Sequence, residues 1–365
     1  MNPLNEKQRS QLEKVWAQEL EFLASLQLAN GALPMTGAPE TKLNMNPYFA
    51  DFTALALLDA GRTYEETVRA YIGWHFAHLN TAEEDVNGVD GTIYDYVISV
   101  SGGKIQEQIA LDEKGIKHYD STDSYGATFL SVLKKYAEKT GDAALLRPRY
   151  EAVTRIASAM TATMQANGLT FAKPDYPVEY LMDNCEVIQG SEDYAWLLEH
   201  VYADRAEAAG QAEKARRTAD LIRCSIERDM WNEEGSFYET TVDEQGRPAW
   251  HFDWNEFYPS ATAQLFPLIF GILDPKTSRA QKLYAGFNAA FGTGEEQKNW
   301  RRLSTPSPFV WGDIAQAAAR MGDTEAVAEY MAAYEKAAGA EHAYPIYNAD
   351  SAKAAMACFD LLHQN

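Results

Sequence analysis

Carboxylates and aromatic rings recur together along this chain, mostly in the long segments between helices and at the helix starts they feed. In order they include Tyr48 and Asp51, Asp120 and Asp123, Asp183 and Glu186, then Asp253, Trp254, Glu256 and Tyr258. Trp311 and Asp313 follow, and then Glu341, Tyr347, Asn348 and Asp350. This combination suits carbohydrate, because carboxylates and amides pair with hydroxyls while flat rings cover the apolar C–H faces of a sugar. An Asp at a helix start also caps the helix for about 1 kcal/mol, so any single residue of the set has a purely structural reading.

Glycoside hydrolysis commonly needs two carboxyl groups flanking the scissile bond. One donates a proton to the leaving oxygen; the other activates water or attacks directly. The strongest candidate for the donor lies in Tyr180-Leu-Met-Asp183-Asn184-Cys185-Glu186-Val187-Ile188-Gln189-Gly190-Ser191. Here one acid follows another by three positions, among apolar side chains that raise a carboxyl pKa. That spacing alone says only that the two share a helical face.

The stretch Asp183-Asn-Cys-Glu186-Val-Ile-Gln-Gly190-Ser191 resembles the glucoamylase-family segment D-x-W-E-x-V-N-G-S, with Cys185 standing where that pattern has Trp. In that family the Glu after the aromatic position is the general acid, so the resemblance assigns that role to Glu186. The stretch Asp120-Ser-Thr-Asp123-Ser-Tyr-Gly-Ala-Thr-Phe129-Leu looks like the start of an inner helix in six-hairpin glycosidases, which implies that Asp123 binds a sugar hydroxyl at the cleaved end. The segments at 46–58 and 254–271 also look like inner-helix starts of that superfamily. In glucoamylase-like enzymes the general base comes from the loop before the last inner helix, here 339–349. Its acidic residue is Glu341; Asp350 and Glu256 are the alternatives. Tyr48, Asp51, Asp120, Asp183, Trp254, Tyr258, Trp311 and Tyr347 are expected to complete a substrate site.

These residues need a scaffold that gathers them. Apolar residues recur at helical spacing near 5–28, 48–61, 64–79, 122–140, 142–166, 190–209, 211–230, 257–273, 276–291, 308–321, 323–338 and 350–363. The connections alternate. Gly61-Arg62-Thr63, Thr140-Gly141-Asp142, Ala209-Gly210-Gln211, Leu273-Asp274-Pro275 and Met321-Gly322-Asp323 read as tight turns, with Gly past a helix end and Asp or Thr capping the next start. The segments 29–47, 80–121, 167–189, 231–256, 292–307 and 339–349 are long. A chain that reverses at every helix brings all the long loops to one end. The pattern predicts an all-α (α/α)6 toroid spanning residues 1–365 as one catalytic domain. A solenoid would need a repeat of constant length, and none is visible. Small β-hairpins are expected in the loops, one around Ser101-Gly102-Gly103 and a second at 236–251.

Composition narrows the partners. With 53 acidic residues against 32 basic ones the net charge is -21, which repels nucleic-acid phosphates and anionic lipid, and no Lys/Arg run offsets it. No stretch reaches the roughly 18 apolar residues of a membrane span, and the start lacks an apolar signal core. Cys185, Cys224 and Cys358 are widely spaced without a CxxC pair, so free thiols in a cytoplasmic protein are expected. Neither a metal nor an organic cofactor is expected: Asp120-Ser-Thr-Asp123 lacks further clustered ligands, and the glycine pairs complete no phosphate loop. The reading is a glycoside hydrolase acting on oligosaccharides, exo-acting and inverting. Two alternatives stand beside it. One is a lyase or epimerase using His251 or His342 with Tyr119 or Tyr258. The other is a toroid that binds carbohydrate without catalysis.

Overall fold

Proline, glycine and side-chain caps set the helix limits, and the computed structural model, which describes residues 4–37 and 42–364, follows them closely. Residues 38–41 of the first long loop lie outside the described residues. Among the described residues twelve α-helices run in chain order: α1 Glu6–Ser25, α2 Pro47–Asp59, α3 Glu65–Ala77, α4 Asp123–Thr140, α5 Tyr150–Met160 and α6 Leu181–His200. They continue as α7 Ala208–Ser225, α8 Phe266–Ile269, α9 Ser278–Phe291, α10 Gly312–Arg320, α11 Thr324–Ala338 and α12 Asn348–His363. Asn46 caps α2 by accepting from Phe49 N at 2.9 Å, with Pro47 at the first helical position, where its missing N–H costs nothing. Gly141 closes α4 in the left-handed conformation, φ 71°.

The even-numbered helices form the inner wall. α2 packs on α4, α4 on α6, α6 on α8, α8 on α10, α10 on α12, and α12 returns to α2. That last contact closes the ring and separates a toroid from a solenoid, whose end helices never meet. The odd helices lie outside, α1 against α12, α5 against α4 and α7 against α6. Burial follows this division. α12 buries residues all round its circumference, whereas α7 buries mainly the stripe Ala212, Ala215, Ala219 and Ile222. The buried apolar side chains form one contiguous cluster.

Several expected boundaries are corrected. α6 begins at Leu181 rather than near 190, because Leu181, Met182, Cys185, Val187 and Ile188 continue the buried pattern through Gly190. Asp183 and Glu186 therefore stand in its first two turns, not in a preceding loop. The turn expected at Ala209-Gly210-Gln211 is inside α7, and residues 201–207 make the connection. α5 starts only after the 3-10 turn Arg147–Arg149, since Pro148 cannot sit deeper in a helix. The helix expected at 257–273 is broken into a π turn, Phe257–Ala261, and the short α8, with Tyr258 extended at φ -129°, ψ 133°.

The hairpin around Gly102-Gly103 is present, β2 Tyr96–Ser101 paired with β3 Lys104–Ile109, and β1 Lys42–Met45 from the first long loop adds a third antiparallel strand. The second hairpin is different. β6 Phe237–Tyr238 pairs back with β5 Trp231–Asn232, and β7 Thr241–Val242 pairs with β4 Glu179–Tyr180, tying the 231–256 loop to the start of α6.

Close approach of inner helices depends on Gly190 of α6 and Gly312 of α10. A Cβ on Gly190 would stand 2.6 Å from Ala127 Cα and 2.8 Å from Met160 Sδ, so α6 could not seat on α4. Gly190→Ala is expected to destabilise the fold by roughly 1–3 kcal/mol through overpacking. Gly210→Ala, at an exposed helical position with nothing within 4 Å, should stabilise by about 0.5–1 kcal/mol. Urea unfolding of both variants checks the pair, and equal midpoints would contradict the packing described.

Candidate active site

A cavity of about 810 Å³ opens at the ring end where the even-numbered helices begin, within the roughly 300–1,000 Å³ of small-ligand sites. Asn46, Tyr48 and Phe49 enter from the start of α2, Ser124 and Tyr125 from α4, and Met182, Asp183 and Glu186 from α6. Asn255, Glu256, Phe257 and Tyr258 come from the α7–α8 connection, Phe309, Trp311 and Asp313 from the start of α10, and Tyr347, Asp350 and Lys353 from α12. Six carboxylates and one cation line it. Among the described residues the lining contains no His and no Arg.

Glu186 is 2% exposed, and the Tyr48 hydroxyl donates to its Oε1 at 2.5 Å, joining the two helices that flank α4. Burial pushes the Glu186 carboxyl up to about 8, although the Ser124 and Tyr48 hydroxyls and the Lys353 charge pull the other way. The acid is therefore protonated at neutral pH. Asp183, one turn earlier on the same face, is also held well above its ordinary value by burial and by the charges of Asp123, Glu186 and Asp120. Neighbouring carboxyls in a low-dielectric site resist ionising together. Tyr48 stacks on Tyr125 with centroids 5.9 Å apart, and Asn46 donates to the Tyr125 hydroxyl at 2.7 Å, which fixes the Tyr48 ring behind Glu186.

α12 lies opposite α6 in the ring order and carries a different set. Lys353 bridges Asp313 of α10 at 2.7 Å, and its ammonium also lies 4.3 Å from the centre of the Phe52 ring. Asp350 accepts from Tyr347 N at 3.2 Å and is pushed up to about 6, chiefly by burial, with that amide and Lys353 opposing. Gly312 makes the pairing possible, because a Cβ there would stand 2.7 Å from Lys353 Cβ and 2.8 Å from the Asp350 carbonyl oxygen. Trp311, immediately before it, adopts φ 53° and packs on Tyr258 with centroids 5.1 Å apart.

Of the residues singled out in the sequence, Tyr48, Asp120, Asp183, Glu186, Glu256, Tyr258, Trp311, Asp313, Tyr347 and Asp350 meet around this cavity. Six do not. Asp253 is exposed and Asn348 buried, both outside the lining. Asp51 is fully buried beneath the wall, accepting from Tyr71 and Thr128 hydroxyls at 2.7 Å each, so it ties α2 to α3 and α4. Asp123 is likewise 0% exposed and accepts from Ser121 Oγ, Ser124 N and Thr170 Oγ1 at the start of α4. Trp254 packs against Gly286 of α9. Glu341 is solvent-exposed and outside the lining, which this loop reaches only at Tyr347 and Ala349. The histidines are elsewhere too: His251 is exposed, and His342 is buried against Glu19 of α1, its Nε2 at 2.9 and 3.0 Å from the two carboxylate oxygens.

Lys353 was not anticipated, although its place one turn after Asp350 was a readable signal. Asn46, Tyr125 and Phe309 were missed as well. Asn46 and Tyr125 look like a cap and a core residue in sequence, and their partners come from other helices.

No family model matches the chain, and no curated relative matches it. Solved structures resemble its fold. A rhamnosidase from Klebsiella oxytoca with rhamnose bound superposes with a TM-score of 0.57 at 13% identity over 96% of this chain. A GH78 family rhamnosidase of Bacillus sp. GL1 gives 0.59 at 13% identity over 96%. A glycosidase variant in complex with glucose gives 0.62 at 10% identity, covering 98% of both chains. The chain spans 63% and 34% of the two rhamnosidases' lengths. These likenesses establish the helical toroid.

The burial of Glu186 has a thermodynamic signature. Folded, it holds its proton up to about pH 8; an unperturbed Glu loses it near 4.5. Between those values the native state binds more protons, so this group's contribution falls as pH rises. Glu186→Gln should therefore raise stability at pH 8–9, by on the order of a few kcal/mol, and leave it nearly unchanged at pH 4–5. Thermal unfolding of both proteins at the two pH values checks this; an equal effect at both would refute the buried, protonated acid.

Proposed function

We propose that the chain is an inverting, exo-acting glycoside hydrolase of oligosaccharides, with Glu186 as the proton donor. The observation that carries this reading is a carboxyl that burial keeps protonated to about pH 8, facing a cavity lined by five further carboxylates and by aromatic rings. A general acid is most effective when its pKa lies near the working pH. The resemblance of Asp183–Ser191 to the glucoamylase acid segment, and the toroid shared with solved glycosidases, support the same assignment. The bounded cavity favours a few sugar units at a chain end over the middle of a long polymer.

Asp350 is the general base in this scheme. It faces the cavity from the helix opposite Glu186 and ionises above about 6, and Lys353 one turn on favours its charged form. In the proposed cycle a water between the walls gives its proton to Asp350 and attacks the anomeric carbon, while Glu186 protonates the departing oxygen. Separation of about 6.5–9.5 Å leaves room for that water and inverts the anomer. Tyr48 holds the Glu186 carboxyl in place, and the rings of Tyr258, Trp311 and Tyr347 would cover sugar faces.

Aryl glycosides and reducing oligosaccharides, assayed with wild type and Glu186→Gln and followed by NMR of the product anomers, test the proposal. Wild type should release the inverted anomer. Glu186→Gln and Asp350→Asn should each lower kcat/KM by about 10²–10⁴-fold, the usual size of general acid–base catalysis. Wild-type activity in Glu186→Gln removes it from the mechanism; a retained anomer removes the water-activating arrangement.

The pH dependence is a separate check. The base must be ionised and the acid protonated, so kcat/KM should follow a bell with limbs near 6 and 8. A profile still rising at pH 9 is incompatible with Glu186 as the acid.

A further inference from the structure

Among the described residues the large exposed aromatic side chains are Tyr176, Trp250, Tyr258 and Tyr344, and all of them stand on the connections that lead into inner helices. Of the exposed large aliphatic residues, Val86, Val100, Leu111 and Ile116 lie on the connection into α4 and Leu221 on α7. Tyr258 lines the cavity, and Tyr344 packs edge-on against the lining residue Phe309, centroids 6.3 Å apart. Tyr176 and Trp250 are 41% and 44% exposed and belong to neither wall.

They are joined through Tyr180. The Tyr176 and Tyr180 hydroxyls lie 3.1 Å apart with their rings inclined by 25°, and Trp250 meets Tyr180 at a centroid distance of 5.6 Å. The backbone holds this trio in place. Tyr180 pairs with Thr241 across β4 and β7, and Ala249 N donates to Thr241 O at 3.1 Å, so Trp250 follows directly from the same small sheet. Tyr180 is also the residue before α6. Met182 and Asp183, within the next turn, line the cavity. The trio thus adjoins the rim at Met182 and Asp183. Its two outer rings are partly exposed, on the connections that lead into α6 and α8.

We propose that Tyr176, Tyr180 and Trp250 form a stacking platform that binds the sugar units of the substrate lying outside the cavity. Exposed rings carrying hydroxyl and indole N–H groups match the amphipathic faces of pyranose units. Residues beyond the cleaved bond would rest there, so the chain favours oligosaccharides longer than its cavity encloses. The inference rests on the carbohydrate reading of the cavity.

Binding in the Glu186→Gln background separates this from catalysis. Affinities for gluco-, cello-, xylo- and chito-oligosaccharide ladders, from disaccharide to hexasaccharide, are measured by calorimetry for that protein and with Tyr176→Ala, Trp250→Ala or Trp250→Phe added. For the ladder that binds, each Ala substitution should cost roughly tenfold on the hexasaccharide and little on the disaccharide, with Trp250→Phe retaining most of the affinity. Equal losses at both lengths, or none, overturn the platform. If the ladder binds with this length dependence but wild type hydrolyses nothing, the enzymatic reading fails and the platform stands. If wild type hydrolyses and the variants keep its length preference, the platform alone fails. Absence of binding by every ladder overturns both.

Discussion

A carboxyl surrounded by helix walls loses hydration that its neighbours only partly replace, and the arrangement at this cavity follows from that constraint. Glu186 receives the Tyr48 hydroxyl at 2.5 Å, and lies one turn from a second carboxyl that burial also holds well above its ordinary value. An isolated ionised group in such surroundings is costly, so the group keeps its proton instead. The ring supplies the surroundings. The contact of α12 with α2 closes that ring.

Charge is distributed unevenly across the mouth. The α6 wall carries acids pushed upward by burial and mutual repulsion, whereas the α10–α12 wall has the one lining cation, Lys353, paired with Asp313 and near Asp350. Two environments separate the ionisation of groups that share one cavity, which is the physical basis of acid and base roles in carboxylate pairs. Small residues permit the asymmetry. Gly312 lets α10 approach α12 closely enough for the Asp313–Lys353 pair, and Gly190 does the same for α6 on α4.

The loops contribute more than cover. The β4–β7 pairing fixes the 231–256 connection beside the start of α6, and the π turn at Phe257–Ala261 leaves Tyr258 extended and over Trp311. Irregular backbone thus occurs at the rim, where aromatic rings must be aimed, while the inner helices away from it remain regular. Trp311 in the left-handed region belongs to the same pattern, since strained backbone persists where the surrounding structure over-determines it.

The alternation of tight turns and long connections, together with helical periodicity, determined the toroid and the gathering of Glu186, Asp183, Tyr48, Asp350 and the rim aromatics, because antiparallel reversal leaves only one end for the long loops. Local signals also located the Gly102-Gly103 hairpin. Only tertiary structure decided which acids face the cavity. Asp51 and Asp123 are of the same type and lie at the same kind of helix start as Asp350, yet hydroxyls from neighbouring helices claim them. Glu341, chosen by its place in a loop, points away, and Lys353, hidden in an alanine-rich helix, points in. A helix start has a circumference, and which side of it becomes the inside is settled by packing against residues far away in sequence.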